Sequence, residues 1–309
     1  MSRAKLLSVE EKLATVIRGK PAAIRLTLIG MFGGGHVLLE DVPGVGKTTL
    51  AKAIARLLDL DFARIQFTPD LLPSDVVGSP ILNPKEGTLV FQPGPVFTNV
   101  LLADEINRAS PRTQSALLEA MNEEQVSVDG RTKPLPSPFF VLATQNPIDF
   151  AGTFPLPEAQ LDRFAVRVSI GYPDEDEEVG MMMDRRTSDP LDGLTPILER
   201  AEVSEIAAAV REVVVHERTA RYVRRVVART RELEELALGA SPRGALALLR
   251  TCQARAYMEG RDHVAAEDVQ TLAPAVLGHR VIATQRARHA GKTTERIIQE
   301  ATLGIAVPT

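Results

Sequence analysis

The chain has 309 residues, of which 44% are hydrophobic, and a formal net charge of −4 at pH 7. This composition allows a sizeable core, favours two domains over one, and argues against a general nucleic-acid-binding surface. The single cysteine, Cys252, excludes an intrachain disulfide and fits a reducing compartment. The sequence has no apolar stretch of the roughly 18 residues that a membrane-spanning helix needs. It also has no signal-type apolar segment near its start, so we expect a cytoplasmic protein without a membrane span.

The first informative segment of the chain lies between residues 37 and 58. An apolar run ending at Glu40 leads into a glycine-containing loop, followed by Lys47, Thr48 and a helical pattern to Leu58. In a phosphate-binding loop, backbone N–H groups cradle the phosphates, a lysine reaches the outer ones and a hydroxyl binds Mg²⁺. We therefore predict nucleotide binding by Asp41, Val42, Pro43, Gly44, Val45, Gly46, Lys47, Thr48 and Thr49.

One position departs from the usual pattern of such a loop, G-x-x-x-x-G-K-[ST], because Asp41 stands where the first glycine is expected. Gly44 and Gly46 still supply backbone freedom beside the phosphates, so we interpret the site as intact. A second Gly-Lys-Thr, at residues 291–293, has no apolar strand before it. We interpret it as the end of one helix and the start of the next.

Short apolar runs alternate with helical patterns through the first half of the chain, which is typical of a parallel sheet covered by helices. The candidate strands are Val37–Glu40, Phe62–Phe67, Val100–Ala103, Phe139–Thr144 and Ala165–Ile170. Ligands of such sheets bind at the carboxyl ends of the strands, where this chain carries polar residues. Residues 80–97 and 124–135 each hold two extended runs around turn residues, and we expect both segments to form β-hairpins.

Two adjacent carboxylates, Asp104 and Glu105, end the apolar run that begins at Val100. In a nucleoside triphosphatase the first acid helps to hold Mg²⁺, and the second can orient and deprotonate the attacking water. Because side chains alternate along a strand, we expect the two carboxylates to point in different directions. After a phosphate loop, this pair indicates hydrolysis of a nucleoside triphosphate.

The character of the chain changes after residue 173. An acidic helix start at residues 174–178 precedes a turn-rich stretch around residues 189–193, and helical periodicity follows. We therefore expect an α/β domain over residues 1–188, with a parallel five-stranded sheet and β-hairpin insertions. A small all-α domain is expected over residues 189–309.

Taken jointly, these segments resemble the MoxR family of AAA+ ATPases. The resemblance rests on the Walker A residues 44–48 and the Walker B pair Asp104-Glu105, and on four further runs. These runs are residues 65–75 (IQFTPDLLPSD), 102–109 (LADEINRA), 143–147 (ATQNP) and 154–164 (FPLPEAQLDRF). In the second half the resemblance is thinner and rests mainly on residues 240–245 (ASPRGA). It implies an AAA+ P-loop core followed by a helical lid.

The resemblance assigns roles to four further positions. Asn146 matches the sensor-1 residue that helps Glu105 to hold the attacking water, although it could also serve only as a turn residue. Arg163 matches the arginine finger that reaches a neighbouring subunit's γ-phosphate, the alternative being a surface arginine paired with Asp162. Arg243 matches sensor 2, in cis or in trans. Gln66 is a candidate for restraining Glu105.

Arg108 and Arg112 follow the Walker B pair and could line a subunit interface or pore, or form an ordinary solvated helix face. The implied chemistry is hydrolysis of ATP with Mg²⁺ in a homo-oligomer, expected as a hexameric ring. The implied partners are a von Willebrand factor A domain protein and a client enzyme or complex that is matured, assembled or loaded with a metal or cofactor.

Three alternatives remain open. One is the ATPase subunit of a magnesium chelatase, which shares the hairpin-bearing AAA+ core. Another is a nucleic-acid remodeller, which the acidic composition and the few basic residues of the hairpins argue against. The third is a regulatory module that binds ATP without hydrolysing it, which the presence of both Walker B acids disfavours. The scattered histidines form no zinc motif.

Overall fold

The computed structural model describes residues 2–128, 130–146, 153–184 and 189–308. The predicted five-stranded parallel sheet is present, with the strand order β2-β5-β8-β1-β9 and every neighbouring pair parallel. Its strands are β1 (His36–Glu40), β2 (Phe62–Gln66), β5 (Val100–Asp104), β8 (Phe140–Gln145) and β9 (Phe164–Val168). Their bounds differ from those expected from the sequence by one or two residues at an end.

The three central strands, β5, β8 and β1, are buried along almost their whole length. This burial explains their continuous apolar sequences, because parallel strands covered by helices on both faces carry no polar side. Apart from the buried His36 at the start of β1, these strands become polar towards their carboxyl ends, which are Glu40, Asp104 and Gln145. The polar ends therefore meet at one edge of the sheet.

Two helices that the sequence analysis left unassigned precede the first strand: α1 (Ser2–Val16) and α2 (Pro21–Phe32). Helix α1 packs on α2 and on α3 (Lys47–Leu57), and α2 packs against β9 and against helix α10 (Pro242–Met258) of the second half. The remaining helices of this half are α3 (Lys47–Leu57), α4 (Pro73–Val77), α5 (Pro111–Glu123), α6 (Glu158–Leu161) and α7 (Glu175–Asp184). A 3₁₀ turn spans Ile106–Arg108.

Both expected hairpins are present and lie outside the main sheet. The first pairs β3 (Gly78–Asn83) with β4 (Thr88–Pro93), and the second pairs β6 (Gln125–Val128) with β7 (Arg131–Pro134). Asp129, half of the predicted turn of the second hairpin, lies outside the described residues.

The second half is helical, as the sequence predicts, with a short antiparallel pair added. The helices are α8 (Arg200–Arg211), α9 (Glu217–Thr230), α10, α11 (Ala266–Leu277), α12 (Gln285–His289) and α13 (Thr294–Leu303). Strands β10 (Leu236–Leu238) and β11 (Ile282–Ala283) form the pair, and a 3₁₀ turn spans Gly278–Arg280. The boundary at residue 188 remains a prediction, since residues 185–188 are outside the described ranges.

The second Gly-Lys-Thr has the local structure inferred for it. Gly291 has φ +71° after α12, and the hydroxyl of Thr293 accepts a hydrogen bond from the Arg296 N–H at the start of α13. Lys292 lies 3.4 Å from carboxylate oxygens of Glu235 and Glu300. This segment is a helix cap. Among the described residues, no helix combines the length and apolar character needed to cross a membrane.

Candidate functional site

A cavity of about 370 Å³ opens at the carboxyl ends of the parallel strands. It is lined by residues of the phosphate loop and of the ends of β2, β5 and β8. The lining residues are Pro43, Gly44, Gly46, Lys47, Thr48, Thr49, Arg64, Gln66, Asp104, Glu105, Thr144 and Asn146. Most of the residues predicted from the phosphate loop and the Walker B pair therefore face one space.

The phosphate loop turns between β1 and α3 through two glycines with positive φ, Gly44 at +88° and Gly46 at +95°. Such angles are strained for residues with a Cβ, so these glycines allow the loop to bend directly into the helix. Lys47 and Thr48 are the first residues of α3. The backbone N–H groups of this first helical turn lack partners within the helix and can bind an anion.

The Lys47 ammonium group donates to two backbone carbonyls of its own loop. Its Nζ lies 2.7 Å from the Asp41 oxygen and 3.1 Å from the Val42 oxygen. Burial lowers the pKa of Lys47 from its ordinary value, while the carboxylates of Asp41, Asp104 and Glu105 raise it. The lysine is thus held at the cavity by weak neutral acceptors, for which the oxygens of a phosphate compete.

The two Walker B carboxylates leave the sheet in different ways. Asp104 is the last residue of β5, whereas Glu105 has left the strand with left-handed backbone angles, φ 55° and ψ 49°. Their divergence therefore comes from a backbone turn after Asp104, and the expected alternation along a continuous strand is wrong for this pair. Thr144 connects them, because its hydroxyl donates to Asp104 Oδ1 at 2.6 Å and accepts from the Glu105 N–H at 2.8 Å.

An arginine that the sequence analysis missed contacts Asp104. Arg64 Nη2 lies 2.6 Å and Nε 3.2 Å from Asp104 Oδ2, and Nη2 also donates to Gln66 Oε1 at 2.9 Å. This contact orients the Gln66 amide, whose Nε2 donates to Glu105 Oε2 at 2.9 Å. Arg108 Nη1 approaches the same oxygen at 2.9 Å. The suggested restraint of Glu105 by Gln66 has a matching contact.

Asn146 lines the cavity just beyond β8, the strand that lies between β5 and β1. Its backbone oxygen accepts a hydrogen bond from Asn107 Nδ2 at 3.4 Å. Pro147, which follows it in the predicted motif, lies outside the described residues.

Arg163 and Arg243 do not line this cavity. They line a second one, of about 590 Å³, between the end of α5, the start of β9 and the helices α8 and α10. The neighbouring Asp162 is engaged elsewhere, since its carboxylate accepts from Arg280 Nε and from the Ser241 hydroxyl, each at 2.8 Å. Within the described part of the chain, Arg163 therefore does not form the alternative ion pair with Asp162.

The residues that line the second cavity include five arginines and two acids, Asp162 and Glu124. Arg211 and Arg250, which the sequence analysis did not single out, line it together with Arg163 and Arg243. Among the described residues, none of these four arginines forms an ion pair, and Arg163 Nη1 donates instead to the Leu118 carbonyl. Burial and, after it, the charge of Arg243 lower the pKa of Arg163 from its ordinary value. The arrangement is suited to an anion supplied from outside this chain.

Comparison with known proteins places this geometry in a family. Residues 36–166 match the profile of the ATPase family associated with various cellular activities (AAA), and residues 228–301 match that of the AAA lid domain. The chain is 41% identical to Chaperone MoxR1 of Mycobacterium tuberculosis, covering 95% of this chain and 80% of that protein. It belongs to the MoxR family of AAA+ ATPases.

The chain is similar to further proteins over most of its length. Protein MoxR of Methylorubrum extorquens is 34% identical, with 88% of this chain and 86% of that protein covered. The uncharacterized protein YeaC of Bacillus subtilis is 45% identical, with 96% and 93% covered. A crystal structure of a Cytophaga hutchinsonii protein superimposes with a TM-score of 0.92 at 39% identity, covering 100% of this chain and 96% of that one.

The donor set of the MoxR chain fits Mg²⁺, which prefers a few carboxylate or hydroxyl oxygens alongside water and phosphate oxygens. Thr48 and Asp104 supply such oxygens within the cavity. Within the described ranges, no group of three or more histidine, cysteine or acidic side chains could hold a metal by itself. The donors thus suit a cation that arrives together with phosphates.

Two other titratable side chains, those of His36 and Cys252, are buried in the core. His36 is buried, accepts from the Val141 N–H through Nδ1 at 3.1 Å and faces the Met121 carbonyl through Nε2 at 2.9 Å. Burial lowers the pKa of His36 to about 4. Cys252 is fully buried, and burial raises the pKa of its thiol, which disfavours the reactive thiolate.

Proposed function

We propose that this chain hydrolyses ATP with Mg²⁺ as part of a homo-oligomer, and that it uses the energy in a chaperone-like manner. One observation carries the proposal. The phosphate-loop lysine, both Walker B acids and Asn146 converge on one cavity, while two predicted catalytic arginines face a different one. The chain therefore holds two complementary halves of a catalytic site on separate surfaces.

Binding is assigned to the loop and to the first turn of α3. Lys47 exchanges its two backbone carbonyl acceptors for phosphate oxygens, a favourable exchange because the phosphate oxygens carry negative charge and attract the ammonium group more strongly than neutral carbonyls do. The N–H groups of residues 44–49 surround the phosphates. Thr48 and Asp104 would hold Mg²⁺, which when bound neutralises charge on the phosphate oxygens.

Hydrolysis is assigned to Glu105 with help from Asn146. Glu105 accepts a proton from the attacking water as a general base, and the Asn146 amide can both donate to and accept from that water. Gln66 and Arg108 occupy Glu105 Oε2. The base must turn away from these partners before it can accept the proton, which offers a means of control by a bound partner.

Completion of the site is assigned to a second copy of the chain. Arg163 and Arg243 line a cavity separate from their own phosphate loop, so we propose that both act in trans on the nucleotide of a neighbouring subunit. Arginine suits this role because its permanent charge and planar donors match phosphate. A trans arginine typically contributes about 10³-fold or more to the rate. A hexameric ring is the assembly we propose.

The client is proposed to be a protein, engaged together with a von Willebrand factor A domain partner. The first hairpin carries exposed apolar side chains on both strands, including Leu82 at 62% and Leu89 at 69% exposure. An exposed apolar hairpin is better suited to binding a protein than to binding nucleic acid, because proteins bind nucleic acid chiefly through basic side chains. The name of the relative Chaperone MoxR1 agrees with this direction.

The test is the ATPase rate per chain as a function of protein concentration, with Mg²⁺, for the unmodified protein and for Glu105→Gln and Arg163→Ala. We expect a rate that rises cooperatively with concentration and is lost in both variants, while Glu105→Gln still binds ATP. Arg221→Ala, in an exposed pair with Glu217 on α9, is the matched control and should keep the rate. A rate independent of concentration and of Arg163 would overturn the oligomeric mechanism.

A further inference from the structure

Asp41, the residue that departs from the usual phosphate-loop pattern, directs its side chain away from the nucleotide cavity. The residue is buried, with 7% of its surface exposed, and it is absent from the cavity lining. Oδ2 accepts from the Ile170 and Gly171 N–H groups, each at 2.6 Å, and from the Ser169 hydroxyl at 3.1 Å. Oδ1 accepts from the Val42 N–H at 3.0 Å.

The donors of these bonds belong to two separate pieces of chain. Val42 is in the phosphate loop, whereas residues 169–171 directly follow β9, where the chain leaves the sheet towards α7. Gly171 has φ +69°, and two successive N–H groups before and at such a turn form a concave site for an anion. The Asp41 carboxylate is the anion that this chain supplies to that site.

The backbone of Asp41 contacts Lys47 and β8, whereas its side chain contacts the segment that follows β9. The Asp41 carbonyl accepts from Lys47 Nζ at 2.7 Å, and its N–H donates to the Gln145 carbonyl of β8 at 3.2 Å. A nucleotide that draws Lys47 away from this carbonyl removes one restraint on the start of the loop. The bonds from Ser169, Ile170 and Gly171 to the carboxylate remain, because these donors lie outside the phosphate loop.

We propose that Asp41 is a positioning residue, whose carboxylate ties the start of the phosphate loop to the backbone at Ile170 and Gly171 and so keeps the loop in its binding shape. Movement of the loop is then transmitted to the chain that leaves β9. This proposal rests on the proposed function, because nucleotide binding is the quantity that the tie supports.

The acceptor must be a carboxylate. Both oxygens face N–H or O–H donors, so an amide in this place would point its NH₂ group at one of them. Asp41→Asn therefore leaves either the Val42 donor or the Ile170 and Gly171 donors without an acceptor. Asp41→Gly, which restores the usual pattern of the loop, removes every acceptor. Asp41→Glu keeps the charge and shifts the oxygens by one methylene group.

The first test is amide hydrogen exchange in the unmodified protein without nucleotide, which depends on no variant. Ile170 and Gly171 lie beyond Val168, the last residue of β9, yet their amides should exchange slowly because both donate to the buried carboxylate. Fast exchange at both amides, as in the surrounding loop, would overturn the tie. Slow exchange that Asp41→Asn accelerates, while Val166 stays protected, would support it.

The second test is the affinity for a fluorescent ADP analogue and the split between KM and kcat for ATP. Because the loop binds phosphates equally before and during reaction, loss of its shape should weaken binding and raise KM by about tenfold, with kcat changed little. Asp41→Asn, Asp41→Gly and Asp41→Glu should all show this effect. Ser169→Ala is the matched control, because it removes a single hydroxyl donor and leaves both backbone bonds; its affinity should stay within about twofold.

The outcomes separate this proposal from the one on which it rests. If Asp41→Gly has the same affinity for the ADP analogue and the same amide exchange rates as the unmodified protein, the positioning role is wrong. The proposal of ATP hydrolysis is then unaffected. Affinity kept in Asp41→Glu alone would assign the effect to charge and would also overturn the geometric tie. If the unmodified protein binds no adenine nucleotide, the proposed function is wrong. Hydrogen exchange at the Ile170 and Gly171 amides would still test whether Asp41 holds this segment, because that measurement needs no nucleotide.

Discussion

Arg64 contacts a single oxygen of Asp104 through two nitrogens, Nη2 at 2.6 Å and Nε at 3.2 Å from Oδ2. The other oxygen of Asp104 accepts from the Thr144 hydroxyl at 2.6 Å. Both oxygens of the carboxylate proposed to hold Mg²⁺ are therefore engaged within the protein. Arg64 and the cation compete for the same acceptor.

This competition gives a prediction about magnesium. Arg64→Ala removes a positive charge and two donors from Asp104, so we expect the Mg²⁺ concentration for half-maximal ATPase activity to fall by about threefold or more. Arg64→Lys keeps the positive charge but loses the planar guanidinium group. Its Mg²⁺ concentration for half-maximal activity should lie between those of the unmodified protein and Arg64→Ala. A titration of the ATPase rate with Mg²⁺ at fixed ATP measures the effect. An unchanged or increased Mg²⁺ requirement in Arg64→Ala would contradict the competition.

A second prediction concerns the restraint on Glu105. Gln66→Ala removes the amide that donates to Glu105 Oε2, and the loss of about 1 kcal/mol of restraint should raise the basal rate about fivefold. Arg108→Ala removes the other donor to this oxygen and should change the rate in the same direction by a smaller factor, because exposed ion pairs contribute little. Single-turnover rates, measured with the protein in excess over ATP, compare both variants with the unmodified protein. A slower Gln66→Ala protein would mean that the amide assists catalysis, contrary to the restraint.

The local parts of the fold followed from the sequence, and the parts made by distant contacts did not. The strands, the hairpins and the phosphate loop are encoded by apolar runs and turn residues within short windows. Helix α1 also has a readable signal, since its buried residues Leu6, Val9, Leu13 and Val16 recur at helical spacing. Its packing on α3, in contrast, is a tertiary contact with no local signature.

The site shows the same division. Arg64 could have been found from the sequence, because it precedes Gln66 by two positions and strand side chains two apart share a face. The cavity shared by Arg163 and Arg243 could not, because it depends on how α10 docks beside β9. The hydrogen bonds of Asp41 to residues 169–171 connect the segments that follow β1 and β9. These strands are far apart in the sequence, so the presence of Asp41 in place of glycine is explained only by the folded sheet, in which β1 and β9 are neighbours.

The buried His36 predicts a specific pH dependence of stability. Its pKa is lowered to about 4 in the folded protein, so the unfolded chain binds more protons below its ordinary value near 6.5. Stability from this group is thus complete above about pH 6.5 and falls as the pH drops towards 4, by up to about 3 kcal/mol. Urea unfolding at several pH values should show that the cost of His36→Gln shrinks on acidification. The exposed His289→Gln should show no such trend, and a cost for His36→Gln that grows in acid would contradict the assignment.

Asp162 connects the α/β half to the helices that carry Arg243. Arg280 is 4% exposed, and burial lowers its pKa to about 10 while Asp162 raises it. Asp162→Ala would leave this buried charge without its partner, at a cost of about 3–5 kcal/mol in unfolding free energy. Ser241→Ala removes the other donor and a helix cap, and should cost about 1 kcal/mol. Equal costs in denaturant unfolding would show that the Arg280 pair is not the main contribution.

The central claim is that one chain binds the nucleotide while another supplies the arginines that complete the site. Mixing Lys47→Ala with Arg163→Ala tests it directly, because the first keeps its arginines and the second keeps its phosphate loop. Each variant alone should have almost no ATPase activity, and the mixture should regain a clear fraction of the unmodified rate through interfaces that pair an intact loop with an intact arginine. A mixture as inactive as its components, or an Arg163→Ala protein that is active by itself, would contradict the claim.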